Sequence, residues 1–424
     1  MKIETALKTF FPDMLPAGNI SFKPGQIFYG KVQQLFPNQL AKIQIGGQTI
    51  IAKLEVALKQ GEGYWLQVNS DDGEQRLKLL ATRESGVKDN SPTALLQQLS
   101  IPNDKQNRML AQFLMSNPLL LSKEEIMRAG ELIKQTKNTP LGLQTLKHIV
   151  QRGMPLTEAV FTSLLTARND VTTGTLLQSL QAEFTREQQM SGAARELSSF
   201  LQKWDQENGI NTNKQQNAED ALRQMKQAVS RLGLFYERDI TDPSINKHEI
   251  NQSLKPLLIK YIQEATPSTT SKHVAEQLLM RMNGQQLLSY ENGPIQHIVY
   301  EVPIQFAGYN TELTIQWEGK RNESGQIDPD FCRILFYLEL ESLKETVVEM
   351  QVQNRVVIVN VMNHSPMLKE AAQSFIPALK DRLLQLNYQL SAVHFKPFAN
   401  NANNPMKKTY ERGNSAYHGV DIRI

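Results

Sequence analysis

Several residue groupings in the chain have spacings that can support chemistry. Gly25-Gln26-Ile27-Phe28-Tyr29-Gly30-Lys31-Val32 places two glycines and a lysine at the offsets of a phosphate loop. Val32 stands where a magnesium-binding hydroxyl is needed, and the aromatic, β-forming interior reads as a strand and not as a loop opening a helix. Ser244-Ile245-Asn246-Lys247 has a serine-lysine spacing, but no G-x-S-x-G accompanies it. Cys332 follows Phe331 in an apolar segment, where a thiol packs as an inert core residue. The histidines, His148 and His394 among them, form no pair at metal-binding spacing, and one cysteine excludes every multi-cysteine metal framework and any intramolecular disulfide. Glu339 and Glu341 share one face of a strand and read as a solvated face. No catalytic, cofactor-binding or metal-binding set is expected, and the chain reads as non-enzymatic.

Bulk composition points the same way. The 424 residues are 40% hydrophobic and 21% charged, which suits a soluble chain of several domains. Lys and Arg total 46 against 43 Asp and Glu, and a net charge of +3 supplies no field that selects nucleic acid or an anionic membrane as main partner. Segment 1–20 offers one apolar helical face (Ile3, Leu7, Phe10 and Phe11), but Glu4, Lys8 and Asp13 interrupt any cleaved secretion signal. Apolar runs elsewhere are strand-sized, so no membrane insertion is expected.

The elements that must position any site change character along the chain. Residues 21–88 carry five strand-length segments: Gln26 to Val32, Leu40 to Ile45, Gln48 to Ala52, Tyr64 to Val68 and Arg76 to Leu80, with Gly46-Gly47 as a hairpin signal. A small barrel of oligonucleotide-binding type is the nearest architecture. In it Tyr29, Tyr64 and Trp65 could stack bases while Lys31, Lys42, Lys53, Arg76 and Lys78 contact phosphates, which keeps single-stranded nucleic-acid binding as an alternative function. Residues 89–292 read as helical throughout, with a capping box at Ser122 to Glu125, a second helix start at Pro155 to Glu158, and a linker near 208–217.

Residues 293–398 return to strand period at Ile295 to Ala307, Glu312 to Trp317, Phe331 to Leu340, Glu345 to Val352 and Val356 to Met362, with Arg321 to Asp330 as a polar loop. One long helix should then start at Ser365-Pro366 and bury Leu368, Ala372, Phe375, Leu379, Leu383 and Leu386. Asn387 supplies a left-handed exit into a last strand, Tyr388 to Phe398. Residues 399–424 read as a disordered, Asn-rich tail. The expected class is α+β and multi-domain: a small N-terminal barrel, an all-helical middle, and a C-terminal α/β domain of antiparallel strands with one long helix.

The run Leu338-Glu339-Leu340-Glu341-Ser342-Leu343-Lys344-Glu345-Thr346-Val347-Val348-Glu349-Met350, continued by Asn354-Arg355-Val356-Val357-Ile358-Val359, resembles the C-terminal domain of flagellar hook-length control proteins. So does Phe375-Ile376-Pro377-Ala378-Leu379-Lys380-Asp381-Arg382-Leu383 through Leu386-Asn387-Tyr388-Gln389-Leu390, with its proline inside the helix and short exit into the last strand. The chain departs from the family pattern at Ser342, Lys344 and Asn387, which stand where that family has Pro, Gly and Gly.

The resemblance implies a non-enzymatic regulator of flagellar type III export that switches substrate class by acting on the cytoplasmic domain of the export-gate protein. Hook or hook-cap components are further partners. It also implies a cytoplasmic protein that is itself exported without a cleaved signal. Partner-binding residues carried over from the family are Leu340, Leu343 and Val347 at the strand turn, and Val420, Asp421 and Ile422 in the tail. A structural scaffold without a switching role is the other alternative.

Overall fold

The computed structural model describes residues 22–56, 58–71, 74–80, 90–207, 209–210, 218–243, 247–264, 270–289, 295–306, 309–322 and 327–398. The amphipathic segment, the tail and most of the linker lie outside these residues. Two compact units are present, Met1–Phe161 and Thr162–Ile424.

In the first unit, β1 (Ile27–Leu35), β2 (Leu40–Ile45), β3 (Gln48–Leu54), β4 (Gly63–Asp71) and β5 (Glu74–Leu79) close a barrel in the order β1-β2-β3-β5-β4. All five expected strands are present. Alternation drives the closure: Val32, Ile43, Ala52, Leu66 and Leu77 point inward and form one core with Phe28 and Tyr64. Gly30 is needed where β1 curves, since a Cβ there would come within 2.6 Å of Ile43. Helices α1 (Pro92–Gln98), α2 (Lys105–Ser116), α3 (Lys123–Gln135) and α4 (Thr139–Gln151) belong to this unit. The Ser122 capping box forms as the spacing predicts, with Ser122 Oγ accepting from Glu125 N and Glu125 accepting from Ser122 N at 2.7 Å. A bridge between Ile27 and Leu121 ties the helices to the barrel.

Helix α5 (Glu158–Ala167) leads into the second unit. There α6 (Thr173–Arg186), α7 (Gly192–Glu207), α8 (Ala218–Leu232), α9 (Tyr236–Asp239), α10 (Lys247–Asn251), α11 (Leu254–Glu264) and α12 (Thr270–Leu288) precede a seven-stranded sheet. The helical stretch is thus divided between two units and is not a domain of its own. It also holds one short strand, β6 (Gly209–Ile210), inside the expected linker and parallel to the sheet.

The sheet continues through β7 (Ile295–Phe306), β8 (Tyr309–Arg321), β9 (Ile327–Leu340), β10 (Lys344–Gln353), β11 (Val356–Met362) and β12 (Gln389–Lys396), in the order β12-β11-β10-β9-β8-β7-β6. It is mixed where antiparallel strands were expected. β12 pairs parallel with β11, because the chain crosses back through the helical segment between them. β9 already begins at Ile327, within the expected polar loop, and pairs Ile327 with Arg321.

The single long helix expected after β11 is instead two short ones, α13 (Leu368–Gln373) and α14 (Ile376–Gln385). Ser365 and Pro366 precede the first helix, whose cap position is Met367. The buried stripe fails as well: neither helix contains a buried residue, and Ile376 and Leu383 alone among their side chains pack against the sheet core beside Val357, Val359 and Leu390. Phe375, Leu379 and Leu386 face outward.

The first turn of α6 docks on two strand carboxylates. By register, Glu301 of β7 and Glu312 of β8 share a face. Glu301 receives a bidentate Arg281 guanidinium at 2.8 Å for both bonds, Gln285 Nε2 at 2.7 Å and Thr173 N at 3.3 Å. Glu312 accepts from Gly174 N at 3.1 Å. Two N–H groups left without partners by the helix start are thereby satisfied, and the positive helix end meets the negative charge of Glu301.

Candidate functional site

The residues singled out at the strand turn do not form one surface. Leu340 and Leu343 flank the β9–β10 turn and are half-buried, whereas Val347 is 1% exposed and packs with Leu335, Tyr337, Met362 and Phe398. Val347 therefore stabilises the module and offers nothing to a partner directly. Val420, Asp421 and Ile422 lie outside the described residues.

The turn is held by a residue the sequence reading did not select. Asn363 is buried, and its Nδ2 lies 2.8 Å from Leu343 O, 2.9 Å from Glu345 O and 2.8 Å from Thr346 Oγ1. Its Oδ1 accepts from Ser365 N at 2.7 Å. One side chain thus joins the β9–β10 turn to the start of the helical segment. Asn363-His364-Ser365-Pro366 carries the signal for this, as an Asx turn ahead of a helix.

Lys344 adopts φ +56° and Asn387 φ +62°, a region that a Cβ disfavours and glycine does not. Asn354 and Arg355 are also left-handed, at φ +49° and +65°, and close the two-residue β10–β11 hairpin.

The largest uncovered apolar side chains of the module sit on its helical segment. Met367 and Phe375 are each 71% exposed, Leu386 66% and Leu384 64%, with Leu379 less so at 39%. Phe375, Leu379 and Leu386, the first and last of them the cap residues that flank α14, recur at spacings of four and seven residues and form one row beside the Ile376 and Leu383 row that touches the sheet, while Leu384 lies on another side of the helix. The hydrophobic stripe is therefore split: half of it is used by the fold and half faces outward.

The opposite sheet face carries a polar cluster beside the buried Val347 group. Arg333 Nε contacts Glu349 Oε1 at 2.6 Å, and Asn360 and Gln351 also bond that carboxylate. Burial pushes the Glu349 carboxyl up, but hydrogen bonds from Gln351 and Arg333 outweigh it and hold the group below its ordinary value. Cys332 is buried and its thiol pushed up by that burial, which makes it a poor nucleophile.

On the barrel, Tyr64 and Trp65 are fully buried, and Tyr64 spends its hydroxyl on Glu62 and Lys59 N. They are core residues and present no ring to a base. Tyr29 is half-buried, edge-on to Trp65 with centroids 5.1 Å apart. The cations fare differently. Register places Leu40 opposite Lys53 and Lys53 opposite Arg76, so Lys42, Lys53 and Arg76 align across the outer face of β2, β3 and β5. The phosphate-loop spacing at Gly25 to Val32 is a strand, as its composition indicates.

Strand order and barrel closure are those of an oligonucleotide-binding-type fold. Residues 8–78 match the TP0910 S1-like domain family. The S1-like barrel is the part of the chain that this match covers. The chain is also 34% identical over 125 residues to the uncharacterized protein YlqG of Bacillus subtilis (strain 168), a match covering 30% of this chain and 22% of that relative. The chain thus spans well under half the length of that relative. No solved structure matches significantly. Among the described residues no helix is long and apolar enough to cross a membrane, and no three His, Cys, Asp or Glu side chains group to hold a metal ion.

Proposed function

We propose that this chain is a non-enzymatic regulator that works through protein contacts made by its C-terminal module, as a hook-length-control-like protein acting on the cytoplasmic domain of a flagellar export gate. The observation that carries this reading is the outward apolar row formed by Leu379 of α14 and the cap residues Phe375 and Leu386 at its two ends. A helix that lies on a sheet with half of its stripe uncovered has apolar area left for a partner. Covering a Phe or Leu contributes about 1.5–3 kcal/mol per side chain, enough in sum to set a specific docking site. The left-handed Lys344 and Asn387 support this reading, since the hook-length control family that the sequence resembles has glycine at those two positions, where it relieves backbone strain.

Calorimetric titration of the full-length chain with the gate's cytoplasmic domain tests the proposal. Binding should weaken at least tenfold in Phe375→Ser/Leu386→Ser, and a deletion strain should make hooks of uncontrolled length. Absence of binding together with normal hooks would sink it.

A second reading has its own observation. The S1-like barrel aligns Lys42, Lys53 and Arg76 on one outer face, which suits contacts to a phosphate backbone. With Tyr64 and Trp65 buried, such binding would be salt-sensitive and indifferent to base sequence. Anisotropy of a labelled single-stranded oligonucleotide, read against salt and against Lys53→Glu/Arg76→Glu, distinguishes the readings. An unchanged signal across both removes this one.

A further inference from the structure

β12 (Gln389–Lys396) is the outermost strand of the seven-stranded sheet, and among the described residues no strand lies beyond it. In a parallel pair each strand turns only every second residue's N–H and C=O toward its neighbour, so half of the β12 backbone groups point away from β11. No proline interrupts the strand, and its one lysine, Lys396, stands at the end. Nothing in its composition therefore blocks a further strand.

The two faces of this edge differ. Leu390, Val393 and Phe395 pair with Val357, Val359 and Val361 and share the apolar face over which α14 packs, with Val393 and Phe395 half-buried. His394 and Lys396 are exposed on the other face. Leu384, 64% exposed, lies on the flank of α14 away from the Phe375 row, and a right-handed crossover turns that flank toward the outer side of β12. A strand that fits this edge must alternate, with apolar residues on the α14 side and an acid beside His394 and Lys396.

The tail that follows β12 holds one stretch with that pattern. Val420-Asp421-Ile422-Arg423-Ile424 alternates, whereas residues 399–419 hold no two large apolar residues at a spacing of two, and Ile3, Leu7, Phe10 and Phe11 are spaced for a helix. Residues 399–419 can span up to about 70 Å against about 27 Å for β12, so the chain can return along the strand with length to spare. An antiparallel return with Ile422 opposite Val393 sets Val420 beside Phe395 and Asp421 opposite His394, with Lys396 on the diagonal. We propose that residues 420–424 add to the outer edge of β12 as an antiparallel strand, with Val420 and Ile422 on the α14 side and Asp421 between His394 and Lys396.

Hydrogen exchange of the full-length chain, resolved at single amides of β12, tests the pairing. The amides that face away from β11 should exchange at least tenfold more slowly in wild type than in Val420→Asp/Ile422→Asp, which alters the tail alone. Cross-linking tests the register: in a Cys332→Ala background, His394→Cys/Asp421→Cys should form a disulfide within one chain at least tenfold faster than Gln353→Cys/Asp421→Cys, whose first position is exposed on β10. Equal exchange in wild type and the tail variant overturns the proposal, as do equal cross-linking rates. A disulfide that forms mainly between two chains at high dilution also overturns it, and gives the edge to a second copy. None of these outcomes depends on the export-gate measurement.

Discussion

Replacing Glu312 with Gln should reverse part of the pH dependence of the second unit. Burial, and next to it the negative charge of Glu301, push the Glu312 carboxyl from 4.5 up to about 8, against the Gly174 N–H, the Thr172 hydroxyl and Arg281, which favour the ionised form. A carboxyl whose folded value is raised holds its proton more tightly in the folded state. Its favourable contribution is complete below about pH 4.5 and is lost as pH rises through about 8. At about 1.4 kcal/mol per pH unit the full loss is on the order of 5 kcal/mol, and sharing of Arg281 with Glu301 reduces it to about 3–5 kcal/mol. Glu312→Gln keeps the shape and an acceptor for Gly174 N but has nothing to ionise. Urea unfolding followed by Trp204 and Trp317 fluorescence, in a Trp65→Phe background, should give wild type and variant within about 1 kcal/mol at pH 4.5, with the variant several kcal/mol more stable at pH 8.5. Parallel profiles for the two proteins would refute a raised carboxyl at this position.

Other substitutions probe the remaining structure. Asn363→Ala removes the tie between the β9–β10 turn and the helical segment and leaves the part-buried Leu343 and Glu345 carbonyls without this donor, so a loss of about 1–3 kcal/mol in denaturant unfolding is expected. Lys344→Gly should instead raise stability by about 0.5–1 kcal/mol, because relief of the left-handed strain exceeds the added chain entropy. Gly284→Ala should cost more than about 3 kcal/mol or prevent folding, since its Cβ would lie 2.1 Å from Ser163 O and 2.6 Å from Ala167 Cβ; soluble yield and melting temperature report it. Phe375→Ser/Leu386→Ser should leave the melting temperature within about 2 °C, as both side chains are exposed, while lowering self-association at high concentration.

The sequence made the strands legible because alternation and Gly-Gly turns are local signals. Leu40–Ile45 and Val356–Met362 end where the pattern ends. What it hid depends on contacts remote in the chain. The stripe through Phe375, Leu379 and Leu386 has the same spacing whether or not a sheet covers it, so periodicity could not show that only its Ile376 and Leu383 edge is used. Aromatic residues in the barrel were ambiguous for the same reason: Tyr64 and Trp65 suit a stacking platform or a packed interior, and contacts on both faces of β4 bury them. Glu301 and Glu312 stand out in no local pattern of the sequence. Their partners, Arg281 and the start of α6, lie on other elements, and no local pattern announces a helix end docked on two carboxylates.

The parallel pairing of β11 with β12 has a kinetic consequence. β12 is the last described strand, and its place in the sheet requires the whole helical crossover to form first, a slow step with a large closure entropy. During synthesis the module cannot close this edge until the crossover and β12 itself have left the ribosome. A chain threaded elsewhere before that moment would travel with β11 unpaired on one side, so any transport of this protein competes in time with the completion of a single strand.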